Sequence, residues 1–131
     1  MRLARAVRLT ASLAALVLAC RGSEREREVL ANLTLPPTPA EHREGDSLFA
    51  ATCASCHGES ARGTTQGPPL LHIIYEPSHH SDASFLLATQ RGVAAHHWRF
   101  GDMPPQPHLD STTVRKITAY VRWAQREVGI D

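Results

Sequence analysis

The sequence predicts a small all-α domain with long loops, and three observations lead to it. Apolar residues recur at helical spacing in three stretches, and no stretch alternates apolar and polar residues as a half-buried strand would. Between the first two stretches, Gly63, Gly67, Pro68 and Pro69 predict loop. The first helix is expected from about Gly45 to Ala54, with Leu48, Phe49 and Thr52 on one side. The second is expected from Asp82 to Arg91: Ser81 or Asp82 can cap it, Phe85, Leu86 and Thr89 keep the period, and Gly92 is placed to close it. The third is the clearest. Asp110 is a good N-cap, Val114, Ile117, Val121 and Ala124 form a stripe widened by Tyr120, and Arg122 and Arg126 fall in the last turns, where cations favour the helix dipole.

A chain of 131 residues has room for one small domain, and less once its ends are set apart. Arg2, Arg5 and Arg8 precede an apolar stretch from Ala11 to Ala19, which is the layout of a secretory leader and is short for a membrane span. Val17-Leu18-Ala19-Cys20 resembles a bacterial lipobox, so residues 1–19 are read as a signal peptide and Cys20 as the lipidated new N-terminus. An ordinary signal peptide with an incidental cysteine is the alternative. Residues 20–44 alternate charges and then run through Pro36-Pro37-Thr38-Pro39, which predicts an extended tether to a membrane. The competing expectation is a packed N-terminal extension using Val29, Leu30, Leu33 and Leu35. The globular domain is expected at 45–131. Removing the three leader arginines from 14 basic residues leaves 11 against 13 acidic ones, so nothing basic enough for nucleic acid remains.

Cys53-Ala54-Ser55-Cys56-His57 is a C-x-x-C-H motif, the signature of c-type haem attachment. Two thiols three residues apart on one helical turn reach the two vinyl groups of a haem and form thioethers, and the next residue brings an imidazole beneath the iron. A redox dithiol would want a βαβ context, and a zinc site would want a second ligand pair at ordered spacing. With Cys20 assigned to lipid and Cys53 and Cys56 to haem, no cysteine is left for a disulfide. A domain of about 85 residues is marginal alone. An aromatic content of 5% suits a core completed by a cofactor.

Residues 45–128 resemble a class I cytochrome c domain. Gly45, Phe49 and Cys53 follow its Gly-x3-aromatic-x3-Cys N-terminal helix, Ile117 and Tyr120 its apolar-x-x-aromatic pair, and Gly67-Pro68-Pro69-Leu70 its Gly-Pro-x-Leu loop. The resemblance implies that the terminal helices cross at Gly45 and that the Pro68 carbonyl orients His57. It also implies that Met103, in Gly101-Asp102-Met103-Pro104-Pro105, is the second axial ligand of one covalently bound haem c. Met1 leaves with the leader, so Met103 is the one candidate thioether.

Eight histidines compete with that assignment. His96 and His97 stand 39 and 40 residues beyond His57, against 46 for Met103, and bis-histidine ligation is the rival reading. The pairs His79-His80 and His96-His97 also offer a copper or zinc site if their loops meet. Trp98 and Arg99 are candidates to hold a haem propionate. The function expected is one-electron transfer between periplasmic or membrane-associated redox partner proteins, without catalysis by the chain. The alternatives are a haem subunit of a larger oxidoreductase, a haem sensor with a labile distal ligand, and a histidine-rich metal-handling lipoprotein.

Overall fold

The computed structural model describes residues 29–30 and 32–131. The expected leader, Cys20 and the charged start of the tether lie outside the described residues. Backbone contacts divide the chain into two units at Leu33/Thr34. In the first, Val29 and Leu30 are helical, and the Leu33 N–H donates to the Leu30 carbonyl at 3.3 Å.

The second unit, Thr34 to Asp131, holds four α-helices: α1 (Arg43–Thr52), α2 (Ala54–His57), α3 (Asp82–Arg91) and α4 (Ser111–Glu127). Single 3-10 turns stand at Ala40–His42, Glu59–Ala61 and Ile73–Tyr75. Among the described residues there is no strand, only an isolated antiparallel bridge between Val93 and Met103. The all-α architecture expected from the spacing is the one observed.

Helix α4 forms where its cap and its stripe coincide. The Asp110 carboxylate accepts the Thr113 N–H at 2.7 Å, filling one of the orphan donors of the first turn. That hydrogen bond, ahead of other influences, holds the Asp110 carboxyl below its ordinary range. Val114, Ile117, Tyr120, Val121 and Ala124 are all buried, as their period requires. Helix α3 has the bounds that its period predicts, and Gly92 closes it at φ 73°, a conformation that costs a residue with a side chain more than it costs glycine.

Helices α1 and α4 make the most extensive helix pairing in this unit. They approach so closely at Gly45 that a methyl group there would lie 2.9 Å from Cβ of Tyr120 and overlap the Lys116 carbonyl. Beyond the crossing, the rings of Phe49 and Tyr120 pack at 5.6 Å between centroids. Both side chains are almost wholly buried, at 1% and 2% exposure. Burial also raises the Tyr120 hydroxyl to a pKa of about 12.

Two boundaries differ from expectation. Residues 34–44, assigned by composition to the tether, belong to the compact unit. Thr38 donates to Asp46 at 2.7 Å, and the His42 ring stacks on Trp123 of α4 at 6.1 Å. A proline-rich segment has little conformational freedom to lose, so a few contacts suffice to dock it. The first helix also ends early, at Thr52, whose hydroxyl bonds back to the Leu48 carbonyl at 2.7 Å. Cys53 departs from helical geometry at φ −115°, and the attachment motif then starts a turn of its own.

Replacing Gly45 by Ala tests the crossing. We expect unfolding free energy to fall by about 1–3 kcal/mol, read by urea denaturation, because the new methyl overpacks a backbone contact; an unchanged midpoint would mean that the helices part freely.

Candidate functional site

Helix α2 carries the C-x-x-C-H motif as one turn. The Cys56 and His57 N–H groups donate to the Cys53 carbonyl at 3.1 and 2.9 Å, which puts both thiols and the imidazole on a single short element. Cys53 is half-buried and Cys56 exposed. Burial, ahead of the other influences, pushes the Cys53 thiol up.

The loop after the motif folds back over His57. Gly63 donates to the His57 carbonyl at 2.6 Å, and Thr64 Oγ1 donates to the Cys56 carbonyl at the same distance. Ala61, fully buried at φ 62°, turns its carbonyl to accept the N–H groups of Leu70 and Leu71 at 2.8 and 3.3 Å. Gly67 lies so near Cys56 that a Cβ would come within 2.8 Å of the Cys56 carbonyl oxygen. These contacts bring the Pro68 carbonyl to 2.9 Å from Nδ1 of His57. A carbonyl only accepts, so Nδ1 carries the proton and Nε2 is left as a lone-pair donor. Burial disfavours the imidazolium and lowers the His57 pKa, against the opposing effect of the Pro68 hydrogen bond.

Met103 enters from the other side of the sequence. Its N–H and carbonyl both pair with Val93 at 2.9 Å, and Gly92 leaves room for that pairing: a Cβ there would lie 2.6 Å from the Met103 carbonyl oxygen. Asp102 accepts the Ala95 N–H at 2.8 Å, and Gln106 donates its N–H to the Thr89 carbonyl at 2.6 Å, which ties this loop to α3.

His57, Met103 and Cys53 line one cavity of about 630 Å³ whose wall is otherwise mainly apolar. That is the size and character of a cofactor site. Phe49, Leu70, Val114 and Val121 form part of the wall, and α3 presents Phe85 and Ala88 to it. Helix α3 has no buried residue of its own, and much of its apolar face looks into the cavity. Trp98 also lines the cavity, with its indole N–H buried and unpartnered. The Tyr75 hydroxyl is near enough to feel that group, but no hydrogen bond of normal geometry joins them. A haem fits this set. The apolar wall suits the macrocycle, His57 and Met103 offer a nitrogen and a thioether, and Trp98 offers a donor for a propionate. Arg99, the other propionate candidate, is exposed and stands outside the lining, as does Cys56.

The loops at the cavity mouth are held by α4. Arg122, expected as a cation favouring the helix dipole, is buried at 7% exposure. It donates to Asp82 at 2.8 Å, to the Tyr75 carbonyl at 2.7 Å, to Gln125 at 2.7 Å and to the His80 carbonyl. Gln125, fully buried, donates in turn to the Leu70 carbonyl at 2.8 Å and the Tyr75 carbonyl at 3.1 Å. Apolar spacing alone misses this pair. The available signal was the row Thr118, Arg122, Gln125, a polar line at helical spacing beside the apolar stripe.

The four clustered histidines do meet. His79 and His97 bring their Nε2 atoms to 3.3 Å, and the rings of His80, His96 and His97 pack against one another. Desolvation comes first in lowering the pKa of His80 and of His97. The charge of neighbouring imidazoles adds to it in both.

Comparison with known proteins agrees with this geometry. The family description "Cytochrome c" matches residues 42–125. The chain belongs to the cytochrome c family. As a cytochrome c domain it carries a covalently bound haem c and works in haem-based electron transfer. It is also 30% identical to the cbb3-type cytochrome c oxidase subunit CcoP of Rhodobacter capsulatus, over 66% of this chain and 30% of the relative. The CcoP sequence from another strain of Rhodobacter capsulatus matches to the same extent. The chain thus spans about 30% of the length of these curated relatives. No solved structure matches.

Arg122→Met tests the loop clamp in this cytochrome. We expect a loss of about 1–3 kcal/mol in stability, since the change leaves the part-buried carbonyls of Tyr75 and His80 without their donor, while the exposed Asp82 carboxylate is solvated; thermal unfolding of the haem-loaded protein measures it, and a loss below about 0.5 kcal/mol would show that water replaces the guanidinium freely.

Proposed function

We propose that this cytochrome is a one-electron carrier whose iron is held between His57 and Met103. Cys53 and Cys56 form the thioethers, and Pro68 orients His57. The observation that carries this reading is the 2.9 Å contact between His57 Nδ1 and the Pro68 carbonyl, in a cavity that Met103 also lines. The haem supplies a reversible one-electron couple. His57 contributes a ring whose tautomer is set by its backbone partner, and such a partner raises the basicity of the ligating nitrogen. Met103 contributes a soft thioether, which raises the potential relative to a second imidazole. The paired backbone of Met103 and Val93 holds that side chain to one loop geometry. With both axial positions filled by protein, small molecules are kept from the iron, which favours transfer over substrate chemistry. The exposed Cys56 edge is where partner proteins would receive the electron.

A second reading, a haem-bearing subunit of a larger oxidase, is favoured by the similarity to CcoP. Both readings use the same residues and differ in whether the partner stays bound. We place the protein in the periplasm, anchored by lipid at Cys20 after removal of residues 1–19. The support is the leader pattern and the lipobox-like Val17-Leu18-Ala19-Cys20.

In the ferric protein we expect the long-wavelength charge-transfer band of an iron–thioether bond. Met103→Leu should abolish that band and lower the midpoint potential. If the band is absent, or survives in the variant, Met103 is not the ligand. For the anchor, Cys20→Ser should move the protein from the membrane fraction to the soluble periplasm; equal partition of both forms would refute it.

A further inference from the structure

Two loops on either side of α3 deliver imidazoles to one point at the mouth of the cavity. His79 and His80 end the turn after the Ile73–Tyr75 helix, where their N–H groups donate to the Glu76 carbonyl at 3.1 and 2.8 Å. Arg122 holds the carbonyls of Tyr75 and His80 from the buried side. His97 arrives on the loop pinned by the Val93–Met103 bridge and the Asp102 cap. One ligand atom from each of His79, His80 and His97 lies within 4.8 Å of the others.

The geometry points to a metal site: we propose that His79, His80 and His97 bind one transition-metal dication of the zinc or copper(II) class. This goes beyond the carrier reading and does not rest on it, since every ligand comes from the chain.

Three observations carry the proposal. The first is separation. In tetrahedral coordination with metal–nitrogen bonds of about 2.0–2.1 Å, two ligating nitrogens stand about 3.3 Å apart. The Nε2 atoms of His79 and His97 are 3.3 Å apart. The second is tautomer. His80 Nδ1 faces the Ile74 carbonyl at 2.6 Å and must carry its proton there, so Nε2 is the unprotonated nitrogen. A ring fixed by a backbone carbonyl on one nitrogen is the usual state of a metal-ligating histidine. The third is the ligand set itself. It is all imidazole, which suits zinc and copper and gives calcium and magnesium no oxygen ligands. The fourth position is left to water or to His96. The His96 ring lies 4.2 Å from that of His97, and its Nδ1 faces the Ala94 carbonyl at 2.8 Å.

The site lies beside the haem cavity, since all three residues also line it. A dication there adds positive charge near the iron and favours its reduced state.

The test is titration of the haem-loaded protein with zinc and, separately, copper(II), followed by calorimetry. We expect one equivalent bound, with affinity weakened at least about tenfold in His97→Gln and further in His79→Ala/His97→Gln. His108→Ala, outside the cluster, should bind as the parent does. The zinc-loaded protein should also show a higher midpoint potential than the metal-free one, and the double variant should show no such rise. Binding that is non-stoichiometric, or equally tight in the double variant, overturns the proposal. So does replacement of the low-spin spectrum by a high-spin one in a His97→Gln variant that still unfolds cooperatively on heating, because that outcome puts His97 on the iron. Cooperative thermal unfolding reports whether each variant is folded, so a null titration of a well-folded protein is decisive.

Discussion

The contact on which most else depends is the crossing of α1 and α4 at Gly45. Absence of a side chain there lets the two backbones touch, and both helices carry residues of the site or its supports beyond that point. Downstream on α1, Phe49 packs on Tyr120 and the chain breaks at Cys53, which sets where the C-x-x-C-H turn begins. Downstream on α4, Val121 lines the cavity while Arg122 and Gln125 reach the loops behind it. A side chain at position 45 would pry apart the pair that aligns these two sets of residues.

The loops are held by a different kind of force. Leu70 and Leu71 are buried, but Ile73 beyond them is exposed. The loop carbonyls are gathered by the donors of one guanidinium and one carboxamide. A buried cation is costly to desolvate, and it contributes here only because nearly all its donors find acceptors with good geometry. Such an arrangement selects one conformation of the loops. The loops in question carry Tyr75, His79 and His80, where orientation matters more than energy.

The histidine cluster gives this arrangement a further consequence. One side of the cluster is fixed through α4 by Arg122, and the other through the Met103 loop by the Val93 bridge. A ligand held by His79 and His97 would therefore brace the same loop that carries Met103. In this way the two sites share a mechanical element as well as an electrostatic field.

The sequence by itself determined the helices and the chemistry of the attachment motif. Period and capping are local properties: Asp110, Gly92 and the stripe on α4 act within a few residues of where they stand. C-x-x-C-H is legible for the same reason, since its spacing is that of one helical turn. Through the family resemblance, Gly45, Pro68 and Met103 were legible as well, although none of them shows a role by spacing alone. Tertiary structure decided the rest. It docked 34–44 onto the domain and placed Trp98 but not Arg99 in the cavity wall. It turned Arg122 inward, and it brought His79 and His80 to His97 from the far side of α3. Each of these depends on which polar group finds a partner once distant segments meet, and a linear pattern carries no record of that pairing.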